Sequence, residues 1–227
     1  VTAVVLLPLA CQSQADRERL GTELARYESI RAVNVRVARV EYRGRDAVAV
    51  AEDSAAAAGA DVPLLAILDA PAFSNGTIAL EIAGTLPDGA SAIARGFVGI
   101  AFHLQGAGER YQVIYLRPTN ARALDQARRN HTAQYQAIPG YPWSRLRAEE
   151  PSVYESYVDI VAGEWTRMRI ELDGDTARLF VNGAQQPTLI VNDLKTPDRT
   201  GRVALWIGPE TVGYFTALEV TEAPERR

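Results

Sequence analysis

The stretch that decides the fold is Phe97-Val98-Gly99-Ile100-Ala101-Phe102-His103-Leu104, followed six residues later by Tyr111-Gln112-Val113-Ile114-Tyr115-Leu116-Arg117. Both alternate with period two. Val98, Ile100, Phe102 and Leu104 fall on one side of the first strand, and small residues and His103 fall on the other. In the second, Ile114 and Leu116 face inward while Tyr111, Tyr115 and Arg117 face outward. Working outward, the same alternation recurs at residues 77–83 (Ile78, Leu80, Ile82) and 165–172 (Met168, Ile170, Leu172). It recurs again at 33–37, where Val33, Val35 and Val37 share a side. Turn chemistry separates the strands: Arg43-Gly44, Asp173-Gly174-Asp175 and Asn182-Gly183 all offer residues that tolerate positive φ. Around ten short strands and no long amphipathic helix predict an all-β, antiparallel sandwich of two sheets.

Composition narrows the function. The chain has 227 residues, 47% hydrophobic, with 24 basic residues against 28 acidic ones and a net charge of −4. That balance excludes a general nucleic-acid binder. H-E-x-x-H, C-x-x-C, P-loop, G-x-S-x-G and post-strand G-x-G-x-x-G patterns are all missing, which removes zinc hydrolase, nucleotidase, esterase and dinucleotide-binding readings. Residues 1–10 form an apolar run too short to span a bilayer. The run ends at Leu9-Ala10-Cys11, like a lipobox, although Pro8 and the lack of a basic start depart from that pattern. The expected organisation is a truncated leader at 1–15, a spacer at 16–30, the sandwich at 31–222 and a tail at 223–227. The protein is then secreted or periplasmic, with Cys11 as a lipidation site, the only membrane attachment expected, and an outer-membrane lipoprotein as one form. A monomer is expected.

Residues 118–163 read as one long irregular loop of about 45 residues, unusual in a compact domain. Residues 110–147 carry seven arginines against a single acid, Asp125, an excess of six positive charges. Six of the nine tyrosines lie between residues 111 and 157, together with Trp143, so this loop is expected to fold onto the sheet. Aromatic faces stack on pyranose rings, and guanidinium forks pair with carboxylates, sulfates or vicinal hydroxyls. The candidate ligand surface is Tyr115, Arg117, Asn120, Arg122, Arg129, His131, Gln134, Tyr135, Trp143 and Arg147, and the partner a carbohydrate, acidic ones included. His131 and Glu155 are candidate proton-transfer residues for a glycoside hydrolase or lyase. A third reading has the arginines only brace the loop, bonding its carbonyls and Glu149, Glu150, Glu155 and Asp159, as in an envelope scaffold. No cofactor is expected. Asp173, Asp175, Asn192 and Asp193 leave a structural calcium open, without EF-hand spacing.

The segments GFVGIAFH (96–103), YLRPTNAR (115–122), RRNHTAQY (128–135), YPWSRLR (141–147) and YESY (154–157), with LFVNG (179–183), LIVNDL (189–194) and GRVALWIG (201–208), carry a resemblance over residues 33–221. The chain resembles bacterial secreted members of the concanavalin A-like lectin/glucanase superfamily, near the laminin G-like and 3-keto-disaccharide hydrolase-type (family 16 glycoside hydrolase-like) domains. The resemblance implies a jelly roll of two curved sheets with any ligand in the concave face and its rim loops. Family 16 enzymes of the retaining type carry E-x-D-x-x-E. Here Glu171-Leu172-Asp173 is followed by Thr176, so that catalytic motif is absent, while a 3-keto-glycoside activity would not need it.

Overall fold

The computed structural model describes residues 29–53, 55 and 62–224. The leader, Cys11, all but the end of the spacer and most of the alanine-rich stretch at 54–60 lie outside the described residues. Fourteen strands are present among those described: β1 (Ile30–Val33), β2 (Val35–Tyr42), β3 (Arg45–Glu52), β4 (Leu65–Leu68), β5 (Gly76–Thr85), β6 (Val98–Gln105), β7 (Arg110–Leu116), β8 (Ala133–Ile138), β9 (Glu155–Ser156), β10 (Thr166–Asp173), β11 (Thr176–Val181), β12 (Leu189–Val191), β13 (Arg202–Ile207) and β14 (Val212–Glu222). Three short helices interrupt them: α1 (Pro118–Ala121), α2 (Gln126–Asn130) and α3 (Trp143–Glu149). One seven-stranded sheet runs β1-β4-β13-β6-β7-β8-β9 and the other β12-β11-β10-β5-β14-β3-β2. Every pairing is antiparallel, and the sandwich expected from the alternation is the fold observed. None of the described helices is long and apolar enough to cross a membrane.

The core forms where the alternating apolar sets of the two sheets meet. Ile78, Leu80 and Ile82 of β5 and Met168, Ile170 and Leu172 of β10 pack against Val98, Ile100, Phe102, Ile114 and Leu116 from the other sheet, all at 3% exposure or less. Two-residue hairpins follow the turn signals. Tyr42 pairs with Arg45 around Arg43 and Gly44, at φ 50 and 72, and Asp173 pairs with Thr176 around Gly174 at φ 57.

Three expectations change. The valines at 33–37 do not form one strand: Asn34 takes φ 56, and the chain leaves the first sheet at Val33 to enter the second at Val35. Asn tolerates that left-handed conformation, and its Nδ2 donates to the Pro63 carbonyl at 3.0 Å. In β6 the register shifts between Phe102 and Gln105, with His103 at φ 50. This bulge turns Leu104 to the opposite face, into a second apolar cluster, and takes His103 off the outward face into burial. Finally, residues 118–163 are not irregular throughout, because β8 pairs along its whole length with β7, Leu116 opposite Ala133 and Tyr111 opposite Ile138.

The face of the first sheet away from the core carries its own apolar layer. Leu65, Ile67, Ala101, Leu104, Tyr111, Val113, Tyr115, Ala204 and Trp206 are each 7% exposed or less. Gly99 makes room there, since a Cβ would stand 2.3 Å from the Ile114 carbonyl oxygen and 2.5 Å from the Tyr115 Cβ. Tyr115 consequently lies low across β6, its ring centroid 4.7 Å from that of Trp206 and 6.2 Å from that of Phe97. This packing sets the height at which the next outward residue of β7, Arg117, emerges.

Candidate functional site

Arg117 ends β7 and Pro118 opens α1, where its fixed φ suits a first helical position and its missing N–H costs nothing. The Arg117 N–H donates to the Thr132 carbonyl at 2.7 Å, closing the excursion through α1 and α2 back onto the start of β8. Asp125 caps α2, its Oδ1 accepting from the N–H groups of Ala127 (2.8 Å) and Arg128 (3.2 Å). β8 then supplies Gln134 on the outward face. After the turn at Gly140, α3 places Trp143 and Arg147 one helical turn apart on the same side, and β9 adds Glu155 opposite Gln134.

The side chains converge on Gln134. Arg117 NH1 donates to Gln134 Oε1 at 3.1 Å and to the His131 carbonyl at 3.0 Å, and its NH2 donates to the Tyr115 hydroxyl at 2.9 Å. Arg147 NH2 reaches the same Gln134 Oε1 at 3.5 Å, and Arg147 grips the Glu155 carboxylate through Nε (3.1 Å to each oxygen) and NH2 (2.7 Å to Oε2). Both guanidiniums lie against the Trp143 indole, at 5.6 Å and 4.7 Å from its ring centroid. Trp143 is 42% exposed, so part of the indole is open to solvent beside two cations.

His131 Nδ1 lies 2.8 Å from Glu155 Oε2, near enough for an ion pair but off the line of a hydrogen bond. Burial is the largest influence on the imidazole and lowers its pKa. Glu155 pulls it back up, and Arg147 and Arg117 press it down again, leaving it below the ordinary imidazole value. The ring is therefore neutral near pH 7. Burial likewise lowers the pKa of Arg117 and raises that of Tyr115, whose hydroxyl stays protonated. Chemically, the arrangement offers a neutral imidazole beside a buried carboxylate, two fixed guanidinium forks and a partly exposed indole.

The structure thus gathers Tyr115, Arg117, His131, Gln134, Trp143, Arg147 and Glu155. It places others elsewhere. Tyr135, read as a ligand contact, lies on the core side of β8. Its hydroxyl donates to Gln112 Oε1 at 2.6 Å and accepts from the Lys195 N–H at 2.8 Å, so it presents nothing to a ligand. Tyr115 and Asn120 are buried and act from beneath, Asn120 Nδ2 donating to the His131 carbonyl at 3.4 Å. Arg122 is exposed and forked onto Asp159 (2.8 and 3.2 Å). Arg129 stacks over the Tyr157 ring at 5.1 Å and donates to its hydroxyl at 2.9 Å. His103 is structural: Gln112 Nε2 lies 3.1 Å from its Nδ1, and its Nε2 lies 3.0 Å from the Ser74 carbonyl. Among the described residues no three acidic, imidazole or thiol groups converge on a point that could hold a metal ion. Asp175 is paired with Arg199 and Asp193 with Lys195.

Phe97, Arg95, Thr119 and Arg128 were not singled out by sequence. Phe97 lies 5.7 Å from the Arg117 guanidinium carbon, measured from its ring centroid. Arg95 is joined to α1 by its carbonyl, which accepts from the Thr119 N–H at 3.3 Å. The only signal for Arg128 is its place in the arginine-rich island.

No protein-family model matches the chain, and no curated protein does. Solved structures share its architecture. A carbohydrate binding module from Bacillus subtilis is 10% identical, with a TM-score of 0.51 over 81% of this chain and 92% of that one. A protein of unknown function with a galectin-like fold, also from Bacillus subtilis, is 10% identical, with a TM-score of 0.52 over 92% of each chain. A candidate glycosyl hydrolase from Parabacteroides distasonis is 10% identical, with a TM-score of 0.52 over 86% of this chain and all of that one. At such identities the likeness is one of fold alone, an antiparallel β-sandwich of two sheets.

Proposed function

We propose that this chain is a carbohydrate-recognition domain whose ligand stacks on Trp143 and is hydrogen-bonded by Arg147 and the rim of His131. The observation that carries this reading is the Trp143 indole, 42% exposed with the guanidinium groups of Arg117 and Arg147 lying 5.6 and 4.7 Å from its ring centroid. A saccharide ring presents an axial C–H face that suits such a platform and equatorial hydroxyls that suit guanidinium donors. The fold shared with a carbohydrate binding module agrees by analogy. The test is a glycan array followed by fluorescence titration. Trp143 is the exposed tryptophan of the three, Trp206 being buried and Trp165 half-buried, so a bound sugar should change the emission, and Trp143→Ala should abolish binding while keeping a cooperative melt. A Trp143→Ala variant that melts earlier yet titrates glycans unchanged would instead favour a scaffold braced by arginine.

A second reading is favoured by one contact, the 2.8 Å approach of His131 to Glu155. A neutral imidazole beside a buried carboxylate suits proton transfer, as a glycoside-processing hydrolase or lyase would require. Incubation of the array's best ligand with the protein, with products followed by mass spectrometry, separates the two readings. Turnover lost in His131→Ala with binding retained would establish the enzyme, whereas an unchanged ligand after prolonged incubation leaves recognition alone.

A further inference from the structure

We propose that Arg95, Arg117 and Arg128, together with Thr119, form a receiving site for an anionic substituent, a carboxylate or a sulfate, on the saccharide held at Trp143; this rests on the recognition reading above and names its substrate class. The argument begins with how the island's charge is compensated. Arg110, Arg122, Arg145 and Arg147 pair with Asp198, Asp159, Glu149 and Glu155. Among the described residues Arg95, Arg117 and Arg128 have no carboxylate within ion-pair reach. The buried Arg117 fork meets only neutral oxygens, on Tyr115, Gln134 and the His131 backbone. Arg95 NH1 donates only to the carbonyls of Ala92 and Ala94. Arg128 reaches only Asn120 Oδ1, at 3.5 Å. Nearby acids are already engaged: Asp125 caps α2, and Glu155 is held by Arg147.

A second observation points the same way. Of the five buried side-chain polar atoms without a hydrogen-bond partner among the described residues, four fall between positions 119 and 131; His131 Nδ1 among them has Glu155 Oε2 at 2.8 Å, which leaves Thr119 Oγ1, Arg128 Nε and Arg129 Nε. Buried donors left unpaired are costly, and native proteins keep few of them unless a site requires it. Here they sit in the same segment as the uncompensated guanidiniums. Short contacts join the group: Arg117 NH1 and Asn120 Nδ2 donate to the same His131 carbonyl, Arg128 NH2 donates to Asn120 Oδ1, and the Arg95 carbonyl accepts from the Thr119 N–H; burial first, then Arg128 and Arg117, lower the pKa of Arg95. An oxyanion supplies what this group of residues lacks, negative charge and several acceptor lone pairs for fork-shaped donors. Arg117 lies 5.6 Å from the Trp143 ring centroid and shares the His131 carbonyl with Asn120, which Arg128 also contacts, so the site is continuous with the stacking platform rather than a separate patch.

The test is calorimetric titration of the full chain with matched oligosaccharide pairs: oligouronates against their carboxyl-reduced counterparts, and sulfated oligosaccharides against their desulfated forms. At low salt the charged member of one pair should bind at least tenfold more tightly than its neutral counterpart, and the pair that shows the preference tells carboxylate from sulfate. Arg128→Gln and Arg95→Gln, each checked by melting temperature for folding, should bring the charged ligand to the neutral one's affinity and leave the neutral ligand within about twofold. The preference should also shrink as salt rises. Equal affinity within every pair, or a preference that survives both substitutions, would overturn this inference while leaving recognition standing. Failure of every saccharide, charged or neutral, to bind would overturn both.

Discussion

Replacing Glu155 by alanine tests whether the polar centre of the site is desolvated. The Glu155 side chain is 4% exposed and accepts three hydrogen bonds from Arg147, whose side chain is 31% exposed. Truncating one member of a buried ion pair costs about 3–5 kcal/mol, because the partner keeps its charge without compensation. Water can recover part of the Arg147 solvation, so the low end applies, about 3 kcal/mol. For a domain of roughly 150–250 residues, each kcal/mol moves the melting temperature by about 2–4 °C, which gives a fall of about 6–12 °C. The neighbourhood adds to the loss: Arg117 and Arg147 both lie near the Gln134 amide oxygen, and without Glu155 nothing there opposes them. A Glu155→Leu/Arg147→Met double variant should recover much of the loss, since apolar side chains of similar size need no compensation. An internal control lies one helical turn away, where Arg145 and Glu149 form an exposed pair at 2.8 Å with side-chain exposures of 45% and 51%. Glu149→Ala should cost about 0.5 kcal/mol or less. Urea and thermal denaturation of the three variants give the readout. A Glu155→Ala variant within about 1 kcal/mol of wild type, no worse than Glu149→Ala, would refute the claim that this centre is shielded from water.

Other consequences follow from particular contacts. His103 and His131 both have pKa values lowered by burial below the usual 6.5, so below that pH the unfolded chain takes up protons that the folded chain refuses. Stability should therefore fall as pH drops from about 7.5 to about 5.5, and a urea midpoint that holds steady or rises over that range would contradict the assignment. Gly99→Ala would force a Cβ to 2.3 Å from the Ile114 carbonyl oxygen. The expected cost is about 1–3 kcal/mol, read by calorimetric melting, with sugar binding weakened because Tyr115 and the Arg117 above it must shift. Tyr115→Phe removes a neutral acceptor from the buried Arg117 fork and should cost about 1–3 kcal/mol, a loss that chemical denaturation would detect. Asp125→Ala uncaps α2 and should cost about 0.5–2 kcal/mol, while loosening Arg128 enough to lower the preference for charged oligosaccharides in the matched-pair titration.

Periodicity made the sandwich readable wherever one face of a strand was apolar and the other was not, as in β5, β7 and β10. It failed where both faces are buried. β8 reads Ala-Gln-Tyr-Gln-Ala-Ile, and its glutamines look like solvent-facing residues of a loop. In the fold Gln134 and Gln136 are buried against the arginines and α3, Gln136 Oε1 accepting from the Trp143 N–H at 3.1 Å. The bulge in β6 gave no local warning, because His103 and Leu104 continue the alternation in sequence while the backbone breaks it. Arginine and tryptophan at the site were legible as a composition, and His131 and Glu155 as separate candidates. Their meeting at 2.8 Å was not, since it depends on β8 and β9 being neighbours, a long-range pairing. Arg95 was invisible for the same reason, lying far upstream of the island and joined to it only through the Thr119 N–H.

The arginines of the island differ in whether a carboxylate pairs with them, and under the proposed function the bracing and binding readings are compatible. Arg110, Arg122 and Arg145 pair with carboxylates at the exposed surface and hold the excursion in place, each at small net gain. Arg147 is intermediate, fixed by Glu155 yet presented against the indole. Arg117 and Arg128 have no carboxylate in ion-pair reach, the nearby acids being committed to capping or pairing, and Arg129 rests on Tyr157 instead. A chain that needed arginines only as struts could place each one beside an acid, and the island's neighbourhood supplies several. Cations kept unpaired and close together, Arg117 buried and Arg128 half-buried, lower stability in the free protein, since like charges at an effective dielectric near 20 still repel by about 1–2 kcal/mol at separations of roughly 8–16 Å. Such a cost is tolerated where a ligand offsets it, so the same residues that weaken the empty fold are those that should tighten it when an oxyanion arrives.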